Sequence, residues 1–599
     1  MNKHQVLTVL KYSFIFFIIL FFYYVLVSNG LGNKPFYLQF RRFISLSLLT
    51  VITYIILKKY VAKNFFYTFI LSSFLWLTTF PILYKITYSD TVPFFSNHFD
   101  MVFSLYSFIG LTSLALLLTK ILTPGISSFL ISTLQFFIIL IPIFELIYFA
   151  NYDSCISEAA VMAIFQTNLS EAKEYLLMTA GIPGLIIIGC LLLLTWLSLI
   201  CFNKKSFSQI TTNYINNKKI FIYLCIAAIT ATTYSFYTAL PQTGFFTLCI
   251  NVKNYFAAVE DFNVYHENNF KNLIVHKSNK TFSKPSTIIL VIGESASRSY
   301  MSAFATTQRD TTPWLKSKKD DPNFLIFPHA YTSRVQTVPA LERALTEKNQ
   351  YNNIDFNNSI TIIDIAKKAG YFTSWFSNQG TIDVADTPIT LVGKTADISK
   401  WTNENTLNAQ YDGTLLEYLK TVDRNKNNFI VLHFMGSHDN YQNRYPVSFA
   451  KWGNPEKNEP IIDYDNSLYY SDYVLSKVYE YAKANLNLQA MVYFSDHGTV
   501  PDWKRHPDKN PFTANRIPLF VYLSDEYMTL YPKTTQTLKE NTNKYFTNDL
   551  IYDMICGILN IQSPNYDETQ SISSPKYKFT RETLRTNLGQ TPLSEDEDI

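Results

Sequence analysis

Three short apolar runs in the second half of the chain each stop at residues able to hold a metal ion. They read Ile288-Ile289-Leu290-Val291-Ile292-Gly293-Glu294-Ser295, Phe429-Ile430-Val431-Leu432-His433-Phe434-Met435-Gly436-Ser437-His438, and Met491-Val492-Tyr493-Phe494-Ser495-Asp496-His497-Gly498. Carboxylate and imidazole together make a zinc-type ligand set. Taken singly, Glu294 and His438 are ordinary loop and surface residues, and the Asp496-His497-Gly498 turn is only somewhat stronger. Their shared position, at the end of the same kind of run, predicts a metal-dependent enzyme.

Continuous runs of β-branched and aromatic residues, bounded by Gly or polar residues, suit strands buried on both faces of a sheet. In open α/β sheets ligands bind beyond the carboxyl ends of such strands, so Glu294, His438, Asp496 and His497 are expected to converge on one edge. Helical patterns fall between the runs, at 360–369, 414–422 and 472–484, and 545–559 reads as a closing helix packed on the sheet. The expected fold of 284–599 is therefore a doubly wound, mostly parallel α/β sheet. The acidic tail Glu595-Asp596-Glu597-Asp598 reads as solvated chain.

The first half of the chain has another character. It is dominated by Phe, Ile, Leu and Tyr, with apolar stretches near 9–28, 42–58, 65–84, 102–122, 126–149, 182–202 and 219–240. Roughly 20 helical residues cross a bilayer core, so these predict seven membrane spans. The first lacks a small-residue cleavage site and reads as a signal anchor. Lys3 and Lys11, then Lys58, Lys59 and Lys63, then Lys204, Lys205, Lys218 and Lys219 mark the cytoplasmic side, and only Arg41 and Arg42 depart from the pattern. An amino terminus inside and an odd number of spans put everything after the last span outside, which for a bacterial inner membrane is the periplasm. The segments 153–177 and 254–272 are amphipathic and suit helices at the membrane surface, the second also suiting a plain linker. The expected division is a membrane domain over 1–242, an interfacial helix and linker over 243–283, and a catalytic domain over 284–599.

At 599 residues the chain exceeds one ordinary domain, and a net charge of +4 gives no reason to expect a nucleic-acid partner. The six cysteines form no CxxC pair and no disulfide framework, although Cys155 and Cys249 could meet outside the membrane. There is no P-loop and no GxGxxG.

The ordered set of features resembles the envelope phosphoethanolamine transferases, membrane members of the alkaline phosphatase and sulfatase superfamily. Several spans precede Gly293-Glu294-Ser295, followed by a turn ending in Thr337-Val338-Pro339, then Met435-Gly436-Ser437-His438, Ser495-Asp496-His497-Gly498, and Asn548-Asp549-Leu550 at the closing helix. The resemblance implies that Glu294, Asp496 and His497 hold zinc together with a nucleophilic Thr337. Thr337 would take phosphoethanolamine from phosphatidylethanolamine and pass it to an envelope acceptor. It further implies that His438 and His506 bind phosphoryl oxygens, protonate a leaving group or hold a second zinc, and that Asn378 contacts the donor headgroup. The chemistry is consistent, since metal coordination makes a threonine hydroxyl usable as a nucleophile and takes up charge developing on a phosphoryl oxygen. Thr332, Ser333 and Thr346 lie nearby with the same hydroxyl chemistry. Thr337, with Pro339 and Ala340 after it, also suits a helix N-cap, and the two roles are compatible because helix N-termini favour anionic phosphate.

Two departures from the lipid A-modifying relatives stand out. Those relatives carry several disulfides in the soluble domain and usually five spans. The difference shifts the expected acceptor from lipid A toward the lipopolysaccharide core or another envelope glycan. The lack of a CxPxR sequence argues against a sulfatase. A phosphohydrolase, a glycerophosphate transferase and a non-catalytic metal-binding sensor stay open, the last predicting metal without a covalent intermediate. A transporter is disfavoured because the spans carry almost no interior charge beyond Glu145.

Overall fold

The computed structural model describes residues 3–27, 36–88, 94–167, 169–210, 217–379, 387–402, 410–454, 457, 459–503 and 510–597. The chain divides into two compact units, Met1–Met162 with Thr179–Asn254, and Ala163–Met178 with Tyr255–Ile599.

Among the described residues, seven helices are long and apolar enough to cross a membrane: Gln5–Val27, Phe40–Leu57, Lys63–Thr87, Phe99–Ile121, Pro124–Tyr152, Ala180–Phe207 and Lys218–Gln242. Each coincides with one of the seven apolar stretches. Lipid tails are as apolar as the side chains between helices, so polar cross-links take a larger share in fixing the packing. Asn203 donates to Ser132 Oγ at 2.9 Å and to Gln135 Oε1 at 2.7 Å, and accepts from Thr68 at 2.8 Å, tying three spans together. Ser73 and Ser104 donate to each other's backbone carbonyls at 3.0 and 2.6 Å. Glu145 is buried and accepts the Ile156 N–H at 3.0 Å, which fixes the chain just past its own span. All six cysteines are free.

The amphipathic stretch at 153–177 forms the helix Glu158–Gln166 and the start of Leu169–Phe207, which breaks at Gly181 with φ 63° and ψ 170°. Only glycine adopts that conformation cheaply, so Gly181 separates the polar turn from the span that follows. The stretch at 254–272 contains the helix Phe262–Asn272. Its aromatic residues do not share one face. Phe262 is fully buried and stacks on Phe356 at 4.7 Å, His266 Nε2 lies 2.8 Å from Asp364 Oδ1, and Val264 and Tyr265 are exposed. The helix is thus held to the α/β unit by Phe262 and His266.

The α/β unit is built on a seven-stranded sheet: β1 Thr287–Gly293, β2 Phe324–Ile326, β3 Phe372–Ser377, β4 Ile398–Trp401, β5 Asn428–His433, β6 Leu488–Ser495 and β7 Leu519–Leu523. The spatial order is β2-β7-β6-β1-β5-β3-β4. The strands β6, β1, β5, β3 and β4 run parallel, and β7 is antiparallel to both of its neighbours. Along β1, Ile288, Leu290 and Ile292 enter one core while Ile289 and Val291 enter the other. The helix Pro460–Asn485 lays Tyr464, Leu468, Val474 and Val478 on the second face. The helices Thr337–Ala344, Ile362–Lys368, Pro388–Lys394 and Ile551–Ile558 cover the first. This is the doubly wound, mostly parallel arrangement expected from the runs.

The closing helix is shorter than 545–559. Phe546–Thr547 is drawn into a short parallel pairing with Ala330–Tyr331, and a 3-10 turn over Asn548–Leu550 precedes the helix proper. The acidic tail is not solvated chain throughout. Asp596 is buried, with its carboxylate taking hydrogen bonds from Tyr331 Oη and Arg516 Nε, each at 2.9 Å.

Candidate active site

Register alone brings the first candidate ligand pair together. Gly293 of β1 pairs with Ser495 of β6, so Glu294 and Asp496 leave adjacent strands side by side, with His497 next in line. Ser295 takes up φ 57°, a left-handed turn that non-glycine residues adopt at a cost of about 1–3 kcal/mol. The turn lets the Ser295 N–H donate to Asp496 Oδ1 at 3.0 Å while its hydroxyl donates to Glu294 Oε1 at 2.6 Å. The Tyr464 hydroxyl donates to the Ser295 carbonyl at 2.8 Å and holds the turn from below.

Glu294, Asp496 and His497 are buried, and one ligand atom from each lies within 4.8 Å of the others. His497 Nδ1 sits 2.9 Å from the Gly498 carbonyl, which can only accept, so Nδ1 carries the hydrogen and Nε2 presents its lone pair to the cluster. Nε2 is 3.6 Å from Glu294 Oε1 and 3.3 Å from Asp496 Oδ2. Asp496 Oδ1 is engaged by the N–H groups of Ser295 and His497, whereas Oδ2 is buried with no hydrogen-bond donor among the described residues. Burial and the charge of Glu294 push the Asp496 carboxyl well above the usual carboxylate range. Burial also pushes Glu294 up, but the neighbouring imidazoles of His497 and His438 and the hydrogen bond from the Ser295 hydroxyl outweigh it and hold that carboxyl below the usual range. Two carboxylates this close in a dry pocket ionise together only with a compensating positive charge. A divalent cation supplies one, and the lone pair of His497 and the open Asp496 Oδ2 fit it as ligands.

Thr337 begins the helix Thr337–Ala344, with Gln336 at the N-cap position. Its hydroxyl does not cap the helix. It donates to Glu294 Oε2 at 3.2 Å and lies 3.5 Å from His497 Nε2. Of the alternatives, Thr332 and Thr346 hydroxyls donate elsewhere, to Asp496 O at 2.6 Å and to Glu342 O at 2.7 Å. Asn548 locks the arrangement from behind. Its Nδ2 donates to Asp496 O at 2.6 Å and its Oδ1 accepts the Ser333 N–H at 2.8 Å, joining the ligand turn to the segment that delivers Thr337.

His438 sits on the turn that follows β5, close enough to act electrostatically on Glu294, and its Nδ1 is buried with no hydrogen-bond partner among the described residues. Gly436 in this turn has φ +50°, and a Cβ there would stand 2.7 Å from the Glu294 carbonyl, so no other residue fits. Asp412 fixes the turn by accepting the N–H groups of Met435 at 2.7 Å and Gly436 at 2.9 Å. Asn378 is fully buried and belongs to this support, which differs from the headgroup contact expected of it. It donates to Gln410 O and Asp412 Oδ1 and accepts from the Thr402 hydroxyl, so its amide is spent on the scaffold. His506 lies outside the described residues. Sequence reasoning passed over Gln379, Asp412 and Asn548 as support for the site, because a polar residue far along the chain carries no sign of which backbone group it will meet. Only Asn548 had a signal, as part of the Asn548-Asp549-Leu550 segment.

The family model described as Sulfatase matches residues 286–555. This segment is a sulfatase-family domain. It carries β1, β5 and β6 and every described candidate ligand residue. The chain is 29% identical over 337 residues to phosphoethanolamine transferase EptC of Escherichia coli K12, a match covering 53% of this chain and 58% of that one. It is 25% identical over 474 residues to phosphoethanolamine transferase CptA of Salmonella typhimurium, covering 72% of this chain and 80% of the relative. The integral membrane protein lipooligosaccharide phosphoethanolamine transferase A (EptA) of Neisseria meningitidis shares the fold. The TM-score is 0.54 at 17% identity, over 86% of this chain and 98% of that one. The resemblance to the envelope phosphoethanolamine transferases read from the motifs is borne out, and the match to EptC spans little more than half of that relative's length.

Proposed function

We propose that the chain is a zinc-dependent transferase of the bacterial inner membrane, with its sulfatase-family domain in the periplasm. It takes phosphoethanolamine from phosphatidylethanolamine and delivers it to lipopolysaccharide, at the core or lipid A, or to another envelope glycan. The observation that carries this reading is the position of Thr337 Oγ, 3.2 Å from Glu294 and 3.5 Å from His497, two of the three residues grouped as metal ligands. The relatives' names, phosphoethanolamine transferases, supply the headgroup.

When bound, zinc would make the Thr337 hydroxyl a usable nucleophile and draw charge from a phosphoryl oxygen. The chain's own residues then do the following. Thr337 Oγ attacks the donor phosphorus, an Oγ–P bond forms, and the P–O bond to diacylglycerol breaks. The hydroxyl proton leaves toward Glu294 Oε2, the nearest acceptor. His438, on the turn held by Asp412 and Gly436, would protonate the departing glyceride oxygen, with His506 sharing that role or holding a second zinc. In the second half a hydroxyl of the acceptor gives its proton to the now neutral His438 and attacks the same phosphorus. The Oγ–P bond breaks, and Thr337 takes back the proton held at Glu294. A phosphate oxygen as acceptor brings no proton, and His438 then regains its own from water. The helix beginning at Thr337 adds backbone N–H groups that favour phosphate at this position.

The test is transfer of labelled headgroup from phosphatidylethanolamine vesicles by the purified chain. Thr337→Ala is expected to lower the rate by roughly 10³-fold or more, as removal of a covalent nucleophile does. Its zinc content and unfolding midpoint should stay those of the wild type. Thr337→Ser, which keeps the hydroxyl, retains a measurable fraction of the rate. Full activity in Thr337→Ala would move the nucleophile elsewhere.

A further inference from the structure

Gln379 follows Asn378 just past the end of β3. Register sets its place, because Ser377 of β3 and Ile292 of β1 both pair with His433 of β5. The chain leaving β3 therefore runs beside Phe434 and toward Glu294. The Gln379 N–H donates to Ser377 Oγ at 3.1 Å, which fixes how the residue departs from the strand. Its side-chain nitrogen donates to Glu294 Oε2 at 3.1 Å and to the Phe434 carbonyl at 3.0 Å.

An amide nitrogen has two hydrogens, and here both are engaged, one by the carboxylate and one by the backbone that follows β5. None is left for a substrate. Each Glu294 oxygen thus has its own donor from a different direction. Ser295 Oγ holds Oε1 from the adjacent residue, and Gln379 holds Oε2 from a strand two places along the sheet. Oε2 is also the oxygen that receives the Thr337 hydroxyl. Rotation of this carboxylate would misplace a metal ligand and the partner of the nucleophile together.

We propose that Gln379 is a positioning residue that sets the orientation of the Glu294 carboxylate for metal binding and for Thr337, without touching the substrate. The inference rests on the metal-binding reading of the site. Donors behind a metal-ligating group typically contribute about 10- to 100-fold in affinity, because they fix the ligand before the ion arrives.

The experiment is zinc competition against a fluorescent chelator with the full chain in detergent, using wild type, Gln379→Ala and Gln379→Met. Methionine keeps the length and volume of the side chain but donates nothing. Both variants are expected to bind zinc about 10- to 100-fold more weakly than wild type, with the metal-free unfolding midpoint of Gln379→Met unchanged. At saturating zinc, both should show a lower kcat for headgroup transfer and an unaltered KM for the donor lipid. Wild-type affinity in Gln379→Met would overturn the inference, since volume alone would then suffice. A raised KM with unchanged kcat would also overturn it, because that pattern marks a substrate contact. A wild-type chain that binds no zinc would overturn the proposed function and this inference with it.

Discussion

At Glu294 and Asp496 two buried carboxylates leave neighbouring strands, and what distinguishes them is which oxygens already have donors. Both oxygens of Glu294 do, whereas Asp496 Oδ2 has none among the described residues. Asp496 is therefore the candidate ligand whose charge is least supported by the protein and most dependent on a cation. Asp496→Asn is expected to abolish zinc binding and transfer. In the metal-free chain the same substitution should leave the unfolding midpoint no lower than wild type, because an uncompensated buried carboxylate is itself destabilising. A large loss of metal-free stability in Asp496→Asn would show that Oδ1 contributes more than the charge costs. These residues were legible in the sequence because each ends a buried strand with a metal-ligating type. Asn378 misled because residue type and position resemble a headgroup contact, while burial and three hydrogen bonds make it scaffold.

The closing helix Ile551–Ile558 shows how an element far from the chemistry bears on it. Asn548, in the turn before it, bonds to both the Asp496 carbonyl and the Ser333 N–H. Asn548→Ala would leave the Ser333 N–H buried and unpaired, while the Asp496 carbonyl keeps the Thr332 hydroxyl as a donor, at a cost of about 1–3 kcal/mol, read as a fall in the unfolding midpoint of the α/β unit. One turn on, burial pushes the Asp553 carboxyl from 3.8 up to about 8, against the opposing hydrogen bond from the Asp567 N–H. The folded chain keeps a proton there that the unfolded chain gives up, so this contribution to stability is full below pH 3.8 and is lost as pH rises toward 8. Asp553→Asn removes the titration and can still accept the same N–H. Its stability advantage over wild type is expected to grow between those pH values and level off above them. A difference independent of pH would contradict the assignment. The helix itself was legible from its apolar residues, but its first turn was not, because the pairing of Phe546–Thr547 with Ala330–Tyr331 depends on contacts across the chain. The buried Asp596 was likewise invisible in a run of four acids, since only its meeting with Arg516 and Tyr331 sets it apart.

The molecule as a whole joins seven apolar helices to a sulfatase-family domain, and both halves were legible for the same reason, that burial of long apolar stretches is written in composition. The break at Gly181 and the splitting of the aromatic face in Phe262–Asn272 were not, because each depends on one backbone angle or one packing partner. Joining the sulfatase-family domain to a membrane suits the proposed transfer from a bilayer lipid, because confinement raises the donor's effective concentration. The transfer rate is then expected to follow the mole fraction of phosphatidylethanolamine in the bilayer. Diluting it with phosphatidylcholine at constant bulk concentration should lower the rate. A rate that tracks bulk concentration alone would point to a soluble donor. The central claim, a covalent headgroup on Thr337, is tested most directly by peptide mass spectrometry of the zinc-loaded chain after incubation with phosphatidylethanolamine. A phosphoethanolamine adduct on the peptide carrying Thr337, absent in Thr337→Ala, is the predicted result. Zinc-loaded protein with the lipid consumed or unchanged and no adduct on Thr337 would contradict it.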